Sequence, residues 1–262
     1  MSSNSPKVGF FTIATNHYEL MLRSQLSKIS SDIKKFNWHF VVATNRDTQL
    51  TEFLLSQGLE RYVTLVSCPA FKFPFASMLR YTYITHTMKD FDFICYVDAD
   101  MVIENAPSLH SAIVKSTSVH LVQHPGWVRK FGLKVGVKEK IFELYLRVTM
   151  GSLGSWETRR KSAARVARLD RLHYYAGGLF FGPASAILEL SKLCSDWMDS
   201  DSKAGIIAKF HDESYLNRWA AGADFVALGP EYCYSEFPWL PEMQVVVRAV
   251  DKSKLRFDLV DQ

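Results

Sequence analysis

The sequence predicts an α/β fold with a Rossmann-like, mostly parallel sheet and helices on both faces. Two observations carry that expectation. Short runs of β-branched and aromatic residues alternate with segments whose apolar residues recur at helical spacing, the pattern of parallel strands joined by crossover helices. One such run, Phe93-Ile94-Cys95-Tyr96-Val97, ends in Asp98-Ala99-Asp100-Met101, with two carboxylates one residue apart. In open α/β sheets ligands sit beyond the carboxyl ends of the strands. Paired hard oxygens at that place suit Mg²⁺ or Mn²⁺ bridging a diphosphate. A solvated turn is the competing reading of the bare tripeptide.

Residues 8–14 read as the first strand, and residues 18–29, with Leu22, Leu26 and Ile29 at helical spacing, as a helix. A second strand spans 39–43 and is closed by Thr44-Asn45. A third spans 62–66, followed by a loop holding Pro69 and Pro74. A helix over about 76–88 precedes the strand that ends at Asp98. The first and fourth strands therefore deliver polar residues to one sheet edge. After Pro107 a short helix leads to a strand at 119–122 and to Gln123-His124-Pro125-Gly126-Trp127.

Residues 173–183 form an aromatic-rich strand interrupted by Ala176, Gly177 and Gly178, where small residues let another backbone or a ligand approach. A bulge in a core strand is the plainer alternative. The helix over 184–198 places Ile187, Leu190, Cys194 and Trp197 on one face. His211-Asp212-Glu213 opens the next helix and sets carboxylates near the positive end of its dipole. There Asp212 can be only an N-cap and Glu213 only a first-turn surface acid. Residues 225–228 read as the last strand, leading to Gly229-Pro230-Glu231-Tyr232. No repeat or low-complexity tract interrupts the series.

The length of 262 residues accommodates one large domain or two modest ones. A net charge of +4 is too mild for a nucleic-acid signature. Residues 128–172 concentrate basic side chains, among them Lys134, Lys138, Lys140, Arg147, Arg159, Arg160, Lys161, Arg165, Arg168 and Arg171. They read as a solvated helical face or as a funnel for an anionic ligand. Aromatics do not alternate with them as base stacking requires, so nucleic acid is not an expected partner. The cysteines Cys68, Cys95, Cys194 and Cys233 are widely spaced, and Cys95 and Cys194 sit in apolar runs as core thiols. A reducing compartment is the simpler reading, with two disulfides the alternative. No run is long enough for a signal core or a membrane span, so a soluble, cytoplasmic protein is expected. Nothing in the sequence indicates an oligomeric state.

Six anchors occur in order: Ile13-Ala14-Thr15 with Tyr18; Ser77-Met78-Leu79-Arg80; Val97-Asp98-Ala99-Asp100-Met101; His124-Pro125-Gly126; Tyr174-Tyr175-Ala176-Gly177-Gly178; and His211-Asp212-Glu213-Ser214 followed by Leu216-Asn217. With Pro230-Glu231-Tyr232 they make the chain resemble the glycosyltransferase family that contains the histo-blood-group A and B transferases and α-1,3-galactosyltransferase. The resemblance runs from about residue 8 to 232. It implies one catalytic domain of GT-A fold over 1–262. About 8–107 would be its nucleotide-binding half, about 108–240 its acceptor and catalytic half, and 241–262 a tail. It implies retaining transfer of N-acetylgalactosamine or galactose from a UDP-sugar donor to the 3-hydroxyl of an oligosaccharide acceptor, with Mn²⁺ or another divalent cation.

By the same resemblance Ile13, Ala14, Thr15 and Tyr18 would bracket the uracil. Arg80 and Asp212 would hold the donor sugar. Asp98, Ala99 and Asp100 would face the donor, with Asp98 and Asp100 as metal ligands. Ala176, Gly177 and Gly178 would line the sugar's 2-position, the absent side chain of Gly178 leaving room for an acetamido group. His124 and Trp127 would lie beside the acceptor, and Glu213 under the anomeric carbon as the catalytic carboxylate. Three departures bear on this. Ser235 stands where relatives carry an acceptor-binding Asp; the segment between Trp127 and Tyr174 is longer and more basic than in the animal enzymes; and the tail is short, with Lys252, Lys254 and Arg256 in reach of a diphosphate. The animal enzymes' membrane anchor has no counterpart, which fits a soluble microbial or viral form. A non-catalytic sugar-binding module on the same fold, or a GT-A transferase for another UDP-sugar, are the alternatives.

Overall fold

A computed structural model describes residues 5–70, 74–128, 136–237 and 239–250. β1 (Val8–Ile13) is followed by α1 (Tyr18–Lys28), α2 (Ser30–Phe36), β2 (His39–Thr44), α3 (Asp47–Gln57) and β3 (Val63–Ser67). α4 (Phe75–Met78) and α5 (Arg80–Thr87) lead to β4 (Phe93–Val97), β5 (Met101–Ile103), α6 (Ala106–Val114) and β6 (His120–Gln123). Then come α7 (Val137–Met150), β7 (Tyr175–Pro183), α8 (Ala184–Lys203), α9 (His211–Ala220), β8 (Val226–Leu228) and β9 (Val247–Ala249).

Seven strands form one sheet in the order β3-β2-β1-β4-β7-β6-β8. Every neighbouring pair is parallel except those made by β7, which runs antiparallel to both β4 and β6. That reversal decides where the chemistry falls. The carboxyl ends of β1, β4 and β6 share an edge with the amino end of β7, so Val97 pairs with Leu179 and the Asp98 amide donates to the Gly178 carbonyl at 2.9 Å. A two-stranded antiparallel ribbon, β5 with β9, returns the chain beside Asp100, where the Val250 amide donates to the Asp100 carbonyl.

Alternation along the strands builds a core on each face. Phe10, Phe40, Cys95 and Phe181 join one cluster with Leu22, Leu26, Leu50 and Leu109 from the helices of that side. Phe11, Val41, Tyr96 and Phe180 join the other with Tyr81, Ile84, Ile187 and Tyr215 from α5, α8 and α9. Each fully buried side chain of this size contributes about 1.5–3 kcal/mol relative to exposure. All four cysteines are buried free thiols, as apolar positions require. Among the described residues no helix is long and apolar enough to cross a membrane.

The helix expected over 76–88 is two helices with a break at Leu79. The Arg80 side chain accounts for the joint: its Nε donates to the Ser77 carbonyl at 2.9 Å, taking an acceptor at the end of α4. α2 and α3 carry no sequence expectation, because the stripe of α3 is only Leu50 and Leu54. Both are closed by left-handed residues, Asn37 (φ 51°) and Gly58 (φ 60°). The helix expected to end at 198 continues to Lys203 and buries Asp201. That carboxylate accepts from the Ser162 hydroxyl, the Ala163 amide and the Tyr215 hydroxyl at 2.6–2.9 Å, tying the basic segment to α9. Lys134 and the tail cations Lys252, Lys254 and Arg256 lie outside the described residues.

Candidate active site

At the shared edge one cation holds two acids. Arg80, 4 % exposed, sends Nη2 to Asp98 Oδ1 and to Asp212 Oδ2, both at 3.2 Å, and Nη1 to the Gly177 carbonyl at 2.6 Å. Its guanidinium lies 4.2 Å from the centre of the Tyr96 ring. Four partners leave the group one geometry, as a planar fork allows and a lysine does not. Burial alone would lower the Arg80 pKa; the Asp212 and Asp98 carboxylates outweigh it and the net shift is upward. The Tyr96 hydroxyl donates to the same Asp98 oxygen that faces Arg80. Desolvation pushes Asp98 up to about 6 against the pull of Arg80, with Asp100 adding to the rise.

Glu213 stands beside this pair on the first turn of α9. Asp212 does not cap the helix: the N-cap is Phe210, without a side-chain bond to the helix, and the Phe210 amide is met by the Ser214 hydroxyl. The Asp212 side chain turns to Arg80, and its carbonyl accepts from the buried Tyr81 hydroxyl at 3.0 Å. Glu213 Oε2 accepts from the Gly177 amide at 2.9 Å, and the buried Tyr174 hydroxyl, which donates to the Ser155 carbonyl at 3.4 Å, lies close enough to act on the same carboxyl. Desolvation raises the Glu213 pKa to about 7; the Gly177 amide opposes it, Asp212 adds to it, and Tyr174 and Arg80 oppose it again. A carboxylate so placed is poorly solvated and ready to meet positive charge.

Two glycines permit this proximity by lacking a side chain. A Cβ on Gly177 would lie 3.0 Å from Asp212 Oδ2, and one on Gly178 would lie 3.3 Å from Asp98 Oδ2. Asn217, one turn after Glu213, locks β7 to α9 by accepting from the Tyr175 amide and donating to its carbonyl, both at 2.9 Å. Ala99 and Ala176 are buried in the core beneath.

Ile13 ends β1, the strand beside β4, Ala14 and Thr15 follow directly, and Tyr18 opens α1 with 39 % of its surface exposed. Beyond β6, the His124 amide donates to the Tyr174 carbonyl, and the His124 ring lies 5.9 Å from Tyr174 and 6.4 Å from Trp127. Burial lowers the His124 pKa to about 4, so the ring is neutral near pH 7; its Nδ1 accepts from the Gly126 amide. Trp239 Nε1 donates to the Pro125 carbonyl, closing the chain over this loop. A cavity of about 200 Å³ adjoins it, lined by Trp127, Leu153, Leu172 and Tyr174 among others. A larger open depression of about 590 Å³, between α6 and Tyr232, holds no carboxylate.

The structure thus gathers Arg80, Asp98, Gly177, Gly178, Asp212 and Glu213 into one cluster, with Asp100 two residues on. It adds Tyr81, Tyr96, Tyr174 and Asn217, which sequence reasoning did not assign a role. Asn217 carries a legible signal, an amide four residues after a candidate carboxylate on one helix. Tyr96 and Tyr81 carry none, because their partners are set by strand order and helix docking.

A mixed α/β fold with a seven-stranded, mostly parallel sheet and an acidic cluster at its edge is consistent with the GT-A glycosyltransferases. Residues 139–258 match the family described as Glycosyltransferase family 6. The chain is 26 % identical over 203 residues to the histo-blood group ABO system transferase 1 of Rattus norvegicus, covering 75 % of this chain and 51 % of the relative. It is 24 % identical over 214 residues to the O-antigen biosynthesis glycosyltransferase WbnI of Escherichia coli, 80 % of each. It is 31 % identical over 93 residues to the globoside alpha-1,3-N-acetylgalactosaminyltransferase 1 of Homo sapiens, 35 % of this chain and 27 % of that one. The chain spans about half the length of the rat relative.

Proposed function

We propose that the protein is a retaining hexosyltransferase that moves N-acetylgalactosamine or galactose from a UDP donor to the 3-hydroxyl of an acceptor sugar. The observation that carries this reading is the Arg80 fork joining Asp98 to Asp212 with Glu213 alongside, on a chain whose relatives are named as glycosyltransferases. As UDP leaves, positive charge develops on the sugar ring, and Glu213 is the desolvated carboxylate placed to stabilise it or to attack it. Arg80 and Asp212 orient the sugar hydroxyls, and the neutral His124 ring with Trp127 orients the acceptor.

A divalent cation fits the donor set. Among the described residues no three His, Cys, Asp or Glu side chains converge as a self-sufficient metal site. Asp98 Oδ1 is engaged by Tyr96 and Arg80, so Asp98 Oδ2 together with the Asp100 carboxylate would hold the ion as hard-oxygen ligands. When bound, the cation neutralises charge on the departing diphosphate. Asp100→Asn is therefore expected to lose most activity while the melting curve in the absence of ligand changes little. Full activity in excess EDTA would contradict the metal assignment.

For the donor, Gly178 leaves space that an acetamido group can use, so UDP-N-acetylgalactosamine is expected to be used at least as well as UDP-galactose. Such shape discrimination is worth about 1–3 kcal/mol, a preference rather than an absolute choice. Comparing kcat/KM for the two donors checks it, and strict selectivity for UDP-galactose would refute it. The test of the whole reading is release of UDP from a panel of UDP-sugars with Mn²⁺ and candidate acceptors. Donor binding without UDP release would mark a sugar-binding module instead.

A further inference from the structure

Val137, Ile141, Leu144, Tyr145 and Val148 recur along α7 at the spacing of one helical stripe, and each is 58–74 % exposed. No side chain of the described fold covers that stripe. Lys138 and Lys140, both exposed, fall at helical positions on either side of it. Leu169, 91 % exposed, continues the apolar surface, because Arg168 Nη2 donates to the Val148 carbonyl at 2.6 Å and holds the following residue beside the last turn of α7. Leu172, also exposed, borders the cavity of Trp127 and Tyr174.

The segment of chain that carries α7 is basic. Residues 128–172 hold twelve Lys and Arg against four Asp and Glu, a net +8, whereas the whole chain carries +4. The rest of the chain is therefore net negative. We propose that α7 is an interfacial helix that seats the protein on an anionic lipid bilayer, with its stripe at the acyl boundary and its flanking lysines among the headgroups.

Other occupants fit less well. A two-fold contact with a second copy would bring Lys138 and Lys140 against the same basic face of that copy. Nucleic acid would pair with the cations and leave the apolar stripe in water. Only a bilayer surface satisfies both halves of the pattern. Resting on the activity proposed above, the docked orientation sets the acceptor cavity at the membrane, where a lipid-carried glycan would enter it.

The test is co-sedimentation of the full chain with phosphatidylcholine vesicles and with vesicles that also contain phosphatidylglycerol, at low and high salt. Binding to the anionic vesicles is expected to exceed that to neutral ones by roughly tenfold or more and to weaken with salt. Leu144→Glu with Val148→Glu should abolish it, and Lys138→Glu with Lys140→Glu should reduce it, both variants melting like the wild type. UDP release with a soluble acceptor should be unchanged in both. No sedimentation with either vesicle, or sedimentation undiminished in the Leu144→Glu/Val148→Glu variant, overturns the proposal. So does a concentration-dependent dimer lost in that variant, which would assign the face to a second copy. Vesicle binding reads α7 whether or not sugar is transferred, so failure of the activity reading leaves a distinct result.

Discussion

Glu213→Gln is expected to lower sugar transfer by roughly three orders of magnitude or more while UDP still binds, because it removes the charge that meets the developing cation. The substitution is nearly isosteric, and a glutamine oxygen can still accept from the Gly177 amide. The pH dependence follows from the raised pKa. With Glu213 at about 7 against an ordinary 4.5, the folded protein favours the protonated form. Stability tied to that proton is fully present below the unfolded value and is lost as pH rises through about 7. Activity needs the ionised form and so should climb over the same interval. Glu213→Gln should therefore flatten the pH profile of the residual rate and melt no lower than wild type at pH 8. Normal transfer by the variant would overturn the catalytic assignment. Trapping a sugar on Glu213 in the wild type would establish the covalent route over front-face attack.

The second large effect is expected at Arg80. Arg80→Ala leaves Asp98 and Asp212 facing one another without the cation that joins them. Breaking a buried pair in this way costs about 3–5 kcal/mol. The low end applies here, since 32 % of the Asp98 side chain reaches solvent and part of its charge is screened. Arg80→Lys restores the charge but cannot reach Ser77, Gly177, Asp98 and Asp212 together, so it should recover stability more than donor affinity. Calorimetric melting and UDP titration read the two effects separately. An Arg80→Ala protein with wild-type melting and UDP affinity would show that the fork holds nothing.

Much of the sheet was legible because burial on two faces writes itself into short apolar runs. Val8–Ile13, His39–Thr44 and Phe93–Val97 appear in the structure within a residue or two of the expected spans. α2 and α3 were not legible, because few apolar positions mark a short helix on the edge of a core. The break at Leu79 was invisible for another reason: it depends on an arginine bonding back to Ser77, which helical spacing does not encode. Within the site, Asp98, Asp212 and Glu213 stood out as acids at element ends, and the ordered anchors sharpened them. Their mutual geometry did not follow from position along the chain.

The sequence by itself determined which residues carry charge at strand and helix termini and where small residues open β7. Local spacing and residue chemistry suffice for those. Only the tertiary structure decided that β7 runs against β4 and β6, so that Gly177 and Gly178 lie beside Asp98. It also decided that Arg80 bridges Asp98 and Asp212 across 132 positions of chain, that Asp212 is no helix cap, and that the α7 stripe faces outward. The physical reason is the same in each case. Strand direction, helix docking and the partner of a buried charge are settled by packing and electrostatics between segments far apart in the chain, and no local pattern records which of them will meet.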